Sequence, residues 1–143
     1  MIGFADMEKL VGKALPGGPV TIRHYEDWLL TDAVGGMPVQ ESIHPIWAYL
    51  APIAGLRMTW DDIFALADAK AADGPMLGEI DMEIFEPLEP ETTYHVTGEI
   101  TAVKRKVGKA IGVFDLMTFR LDLLAGERPV ARSTQSLIFP RGA

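Results

Sequence analysis

The sequence predicts an α+β domain in which a long antiparallel sheet wraps around one short buried helix. Three observations lead there. Residues 45–56, PIWAYLAPIAGL, carry no charge and leave no polar face, and a helix that is apolar all round belongs in an interior. Beyond residue 75, polar and apolar residues alternate through long runs, the pattern of strands with one face packed and one wet. Finally, 143 residues with 48% hydrophobic and 23% charged content make one globular domain, 1–143, large enough to bury a core.

Composition narrows the function. A net charge of −7 argues against nucleic acid, whose affinity comes from phosphate neutralisation by Lys and Arg. With no Cys there is no disulfide, thiolate nucleophile or zinc–thiolate site, which fits a reducing compartment. The apolar segment falls short of the ~20 residues that span a bilayer, so no membrane association is expected. The start, MIGFADMEKLVGK, has no basic region followed by an apolar run, which predicts no signal peptide and a cytoplasmic protein. Neither a metal-ligand spacing nor a glycine-rich phosphate loop occurs, so no metal or cofactor is expected.

In chain order, Phe4, Met7, Leu10 and Val11 share one face of a short helix within 2–11. LPGGP at 15–19 turns into the extended run Val20, Thr21, Ile22. Tyr25, Trp28, Leu29 and Ala33 then fall at helical spacing, with Glu26, Asp27 and Asp32 available to solvent, and Gly35-Gly36 stops that helix. Residues 37–43 form a loop. The apolar helix follows, with Pro45 at its first position, His44 before it as cap, and Pro52 and Gly55 bending or ending it. The next helix has the clearest start: Thr59 as cap, Asp62 completing a capping box and Met58 stapled to Ile63. It is expected to run to about Ala72 with Trp60, Ile63, Phe64 and Ala67 as its stripe. Ile80, Met82 and Ile84 alternate with Glu79, Asp81 and Glu83 as a strand buried on one face. Strands at 94–104, 113–124 and 130–139 complete a sheet of five or six strands.

This order of helix, loop, helix and long antiparallel sheet resembles the hotdog fold, in particular the MaoC-like hydratases and dehydratases and their N-terminal, non-catalytic dehydratase-type relatives. The resemblance rests on Gly12-Lys13-Ala14-Leu15-Pro16 and Ala33-Val34-Gly35. It rests also on the run from Gly78 to Leu88, on Thr97 to Val103 and on Ala131 to Phe139. It implies an acyl thioester of coenzyme A or acyl carrier protein as ligand, and addition or removal of water across the 2,3-bond. The family's catalytic loop reads D-x-N-P-x-H; at the corresponding places this chain has Gly36, Pro38 and Glu41. Neither half of the family's acid–base pair is therefore carried over. Residues 42–48 resemble instead the helix start of non-catalytic halves in two-hotdog hydratases, which shape the acyl site while a partner does the chemistry. Hotdogs pair through their sheets, which implies a homodimer or a heterodimer with another hotdog. The face of strand 113–124 carrying Val113, Met117, Phe119, Leu121 and Leu123 is the expected motive.

Chemistry on a thioester needs donors for a carbonyl oxygen gaining charge and a group that moves a proton. The start of the apolar helix supplies N–H groups, His44 stands there, and Glu41 lies about a turn earlier. His44 and Glu41 are thus the candidate catalytic pair, with Ser42 and Trp47 beside them; the plainer reading is that His44 caps its helix and Glu41 is solvated. Lys104, Arg105 and Lys106, with Lys109, form a basic cluster able to take coenzyme phosphates or an acidic carrier face, or else simply a charged hairpin. His24 reads as a surface cap and His95 as a wet-face residue. Asp61 and Asp62 would suit a hotdog thioesterase, but the capping box already explains Asp62. Trp28, Trp47, Tyr49, Trp60 and Phe64 read as core. A thioesterase, a tailoring dehydratase or isomerase, and a non-enzymatic small-molecule binder remain the alternatives.

Overall fold

A computed structural model describes residues 2–37 and 42–142. Helix α1 (Phe4–Glu8) buries Met7 in the core. Strands β1 (Ala14–Leu15) and β2 (Pro19–Thr21) then lie antiparallel on one edge of the long strand β4. Between them the backbone passes so close to β4 that a Cβ on Gly17 would sit 1.9 Å from the Val96 carbonyl oxygen. Only glycine fits there.

Helix α2 (His24–Ala33) forms where its spacing predicts, but with its faces exchanged. Tyr25, Trp28 and Leu29 are exposed, whereas Asp27 and Thr31 are buried. The cause is local: the Asp27 carboxylate takes two N–H groups from the following segment and is drawn inward with them. Helix α3 (Trp47–Gly55) is the apolar helix, packed through Ala48, Ala51, Pro52 and Gly55. A Cβ on Gly55 would stand 2.5 Å from Val96 Cγ2, so the glycine lets α3 press onto the sheet. Helix α4 (Trp60–Leu66) begins with the expected capping box, Thr59 N–H to Asp62 Oδ2 at 2.8 Å and Asp62 N–H to Thr59 Oγ1 at 3.1 Å. It ends earlier than its composition suggests, because Asp68 turns the chain at φ +51°. A short 3₁₀ turn at Ala71–Asp73 leads to the sheet.

The sheet has six strands in the order β1-β4-β5-β6-β3, with β2 also on β4. Strands β4 (Thr93–Gly108), β5 (Gly112–Ala125) and β6 (Arg128–Pro140) form its long centre, and β3 (Met76–Ile84) is an edge paired only with β6. Ile100, Met117, Phe119, Leu121, Leu137 and Phe139 face the helices and are buried.

Two expectations change here. Strand β5 lies between β4 and β6, and its apolar side faces the core, so the 113–124 face is not a free pairing surface. Strand β3 was expected to bury one face, yet every residue of it is exposed, Ile80, Met82 and Ile84 at 40%, 41% and 44%. Its alternation is real. Helix α3 touches β3 but leaves all the strand's side chains exposed.

Candidate functional site

The junction of α2 and α3 is held by one carboxylate oxygen. Asp27 Oδ1 accepts the backbone N–H of His44 at 2.8 Å and the indole N–H of Trp47 at 3.0 Å. Asp27 is 6% exposed, so a carboxylate is spent here on two uncharged donors with little water to share the task. Its position fixes where α3 starts. A Cβ on Gly36 would lie 3.1 Å from Thr31 Cγ2 and 4.0 Å from His44 Cδ2, so this part of the loop runs close over both residues.

Helix α3 starts two residues later than expected: its N-cap is Ile46, and His44 and Pro45 belong to the turn before it, so His44 braces that turn rather than capping the helix. Its Nδ1 accepts the Ile46 N–H at 3.1 Å, one of the donors that a helix start leaves unmatched. A ring nitrogen that accepts carries no proton, so the neutral ring holds its hydrogen on Nε2. Among the described residues Nε2 has no hydrogen-bond partner, and the ring is half-buried. The site therefore presents an N–H donor just before an apolar helix. Ser42 and Trp47 are half-buried beside it. Glu41 lies outside the described residues.

Further along the same helix, Tyr49 joins Trp60 and Phe64 of α4 and Met76, Leu77 and Leu137 of the sheet around an apolar groove of about 290 Å³. Tyr49 lies in the first turn of α3, five residues beyond His44 in sequence.

Strand geometry divides the basic cluster. Lys104 and Lys106 stand opposite Leu116 and Phe114, on the side away from the helices, while Arg105 stands opposite Asp115 on the inner side. Arg105 grips the Asp115 carboxylate through Nε at 2.7 Å and Nη2 at 2.8 Å, and Arg141 Nε adds a third bond at 2.7 Å. Burial pushes the Asp115 carboxyl up, but the two guanidinium groups outweigh that and hold it below its ordinary value. Arg105 is thus committed to the core and does not share a surface with the two lysines.

The remaining candidates are peripheral. His24 and His95 are exposed, and His24 donates its backbone N–H to Glu91 at 2.8 Å. Asp62 is occupied by its capping box, and those bonds hold its carboxyl below its ordinary value. Of the aromatics read as core, Trp28 is exposed and Trp60 partly so. Among the described residues no group of three His, Cys, Asp or Glu side chains could hold a metal ion, and no helix is long and apolar enough to cross a membrane.

Besides Asp115, two further buried polar groups that escaped the sequence reading bear on the site. Asp27 is one; its signal was Thr31, four residues on and opposite the aromatic side of α2. Gln135 is the other. It is fully buried on the helix side of β6, opposite Ile80, and donates through Nε2 to Ser133 Oγ at 3.0 Å while its Oε1 has no partner. Its signal was the alternation Ala131, Ser133, Gln135, Leu137 on one strand face.

A long antiparallel sheet wrapped on one short apolar helix defines the chain as an α+β hotdog. No protein-family model matches it, and no match is found among curated proteins. Among solved structures it is similar to a chain of the ChsH1–ChsH2 complex from Mycobacterium tuberculosis, at 17% identity and TM-score 0.72, over 99% of this chain and 94% of that one. The HadBC (3R-hydroxyacyl-ACP dehydratase) complex from the same organism matches at 10% identity and TM-score 0.71, over 90% and 96% of the two chains. A MaoC-like dehydratase from Phytophthora capsici matches at 17% identity and TM-score 0.68, over 94% of this chain and 50% of the other. These are likenesses of fold: the chain has the hotdog fold found in MaoC-like hydratases and dehydratases.

Proposed function

We propose that this protein is an acyl-thioester-binding hotdog of the enoyl hydratase and 3-hydroxyacyl dehydratase type, with an altered catalytic loop, acting together with a second hotdog. The observation that carries the reading is the pairing of a donor with a groove on one helix. His44 Nε2–H stands just before the turn that leads into α3, and the apolar groove lined by Tyr49 opens at the helix's first turn. A thioester carbonyl on the donor would send its acyl tail toward the groove.

In hydration of a 2,3-enoyl thioester, the water oxygen bonds to C3 and its proton leaves for a base. A proton returns to C2, and the thioester oxygen carries charge in between. In this reading Nε2–H of His44 holds that oxygen and Glu41 serves as the base. Ser42 and Trp47 line the entrance. Because D-x-N-P-x-H is absent here, the pair of His44 and Glu41 is read as working in a site that a second hotdog completes rather than alone.

Binding tests this without requiring turnover. Saturated acyl-CoAs of rising chain length should raise the melting temperature progressively, while coenzyme A alone should do so least, because the tail adds apolar burial. A melting temperature indifferent to every acyl-CoA and acyl carrier protein thioester tried would remove the reading.

A further inference from the structure

On the face that β6 turns toward the helices, Ala131, Leu137 and Phe139 are apolar, but Ser133 and Gln135 between them are polar and fully buried. These two part the core. On one side Leu137 and Phe139 pack with Phe119 and Leu56; on the other Ala131 packs with Leu123, Ala48 and Ala51. Helix α3 contributes to both groups and so spans the seam. Polar side chains in the middle of a packed face cost stability unless all their groups are matched.

Here they are matched only to each other. Gln135 Nε2 donates to Ser133 Oγ at 3.0 Å, and Gln135 Oε1 has no partner among the described residues. Ser133 Oγ is engaged as an acceptor, and its own O–H meets no acceptor among them. Beyond its internal bond the pair therefore offers one donor and one acceptor. Turning the amide over changes nothing in this count: Ser133 would donate to Oε1, leaving its own lone pair and Nε2–H open. The open donor and acceptor lie within one hydrogen bond of each other, so a single atom has to meet both. An amide presents its two groups in opposite directions and fails that requirement. A hydroxyl meets it.

The seam adjoins the apolar groove. Leu137, which lines the groove, is two residues from Gln135 on the same strand face, roughly 6.8 Å along the strand. Ile80 and Met82 stand opposite Gln135 and Ser133 on the helix side and are 40% and 41% exposed, so the neighbouring strand is open to solvent. We propose that Ser133 and Gln135 form a binding subsite for a hydroxyl carried on the acyl tail beyond C3, which makes the ligand a hydroxylated acyl thioester. This rests on the acyl-thioester reading and narrows its substrate class. With the thioester oxygen on His44, the first carbons stay outside the groove and only the tail reaches Leu137 and the seam. Ile80, on the edge strand, is the side chain placed to turn aside. A plain chain drawn across the seam leaves both polar groups unmatched and binds more weakly for it.

Calorimetric titration of the wild type tests this with saturated acyl-CoAs of one chain length, either unsubstituted or bearing a single hydroxyl at successive positions beyond C3. One hydroxyl position should bind at least about tenfold more tightly than the plain chain, the worth of satisfying groups otherwise left unmatched. The double variant Ser133→Ala, Gln135→Leu should lose that preference and bind the plain chain at least as well as the hydroxylated one. The wild-type comparison carries the test by itself should the variant not fold. A wild type that binds acyl-CoAs without favouring any hydroxylated chain overturns the inference, leaves the thioester reading standing and assigns the pair to bound water. A preference that persists undiminished in the folded double variant overturns it too, because the hydroxyl is then held elsewhere. Binding of neither kind of acyl-CoA overturns the inference and the thioester reading together.

Discussion

Asp115 and Asp27 are both buried, yet their partners differ in kind. Asp115, fully buried, is matched by charge: Arg105 and Arg141 give it three hydrogen bonds from two guanidinium groups. Asp27 is matched by neutral donors alone, a backbone N–H and an indole N–H at the same oxygen. The first arrangement ties strands together, and either ion would be stranded without the other. The second places a segment and needs an acceptor more than a charge. A buried carboxylate thus marks a structural clamp in one place and the edge of a candidate site in the other.

That contrast can be broken by mutation. Asp115→Ala should cost about 3–5 kcal/mol of unfolding free energy, the usual result of leaving a buried ion unpaired, and Asp115→Asn should recover little of it. Urea titration would read both. Asp27→Ala should cost less, roughly 2 kcal/mol for an acceptor withdrawn from two partly buried donors, while Asp27→Asn should recover most of that loss because an amide oxygen accepts as well. Equal recovery by the two asparagine variants would dissolve the distinction.

Acid sharpens it further. The Asp115 carboxyl is held below its ordinary value, so the unfolded state binds its proton first. The stability it contributes is complete above the unfolded value of ~3.9 and is lost as pH falls through the lower folded value. Asp62 and Glu91 are also lowered and act in the same window. The wild-type curve should therefore fall more steeply below about pH 4 than that of Asp115→Asn.

The smallest stability effect belongs to His44. His44→Ala removes the acceptor of the Ile46 N–H in the turn before α3 and should cost about 1 kcal/mol. If His44 also holds the thioester oxygen or moves a proton, turnover of the assembled enzyme should drop roughly 10²–10⁴-fold, with little change in the binding of a saturated acyl-CoA. Full turnover at a lowered melting point would assign His44 to bracing that turn alone.

Legibility in the sequence followed what could be decided locally. The α4 capping box, the long strands and the apolar α3 depend on neighbours in sequence, and each was readable. What failed needed a partner from elsewhere. Asp27 looked solvent-facing because its donors lie 17 and 20 residues away, and satisfying them turned all of α2 over. The basic run 104–106 looked like one patch because sequence hides the alternation that sends Arg105 inward to Asp115. For β3 the period of two was correct and the burial was not, since alternation shows which residues share a side but not whether anything covers it. At the site, His44 was picked out in the sequence, though it braces the turn before α3 and does not cap the helix, while Asp27 and Gln135 were missed.

The Asp115 clamp also imposes an order on synthesis. Arg105 reaches from it to the Ile2 carbonyl at 3.0 Å, and Arg141 joins it from just beyond β6. A chain emerging from the ribosome can pair β4 with β5 while Asp115 still lacks one of its two counter-ions. The centre of the sheet is closed only after residue 141 has left the exit tunnel, so docking of the first residues should be among the last events of folding.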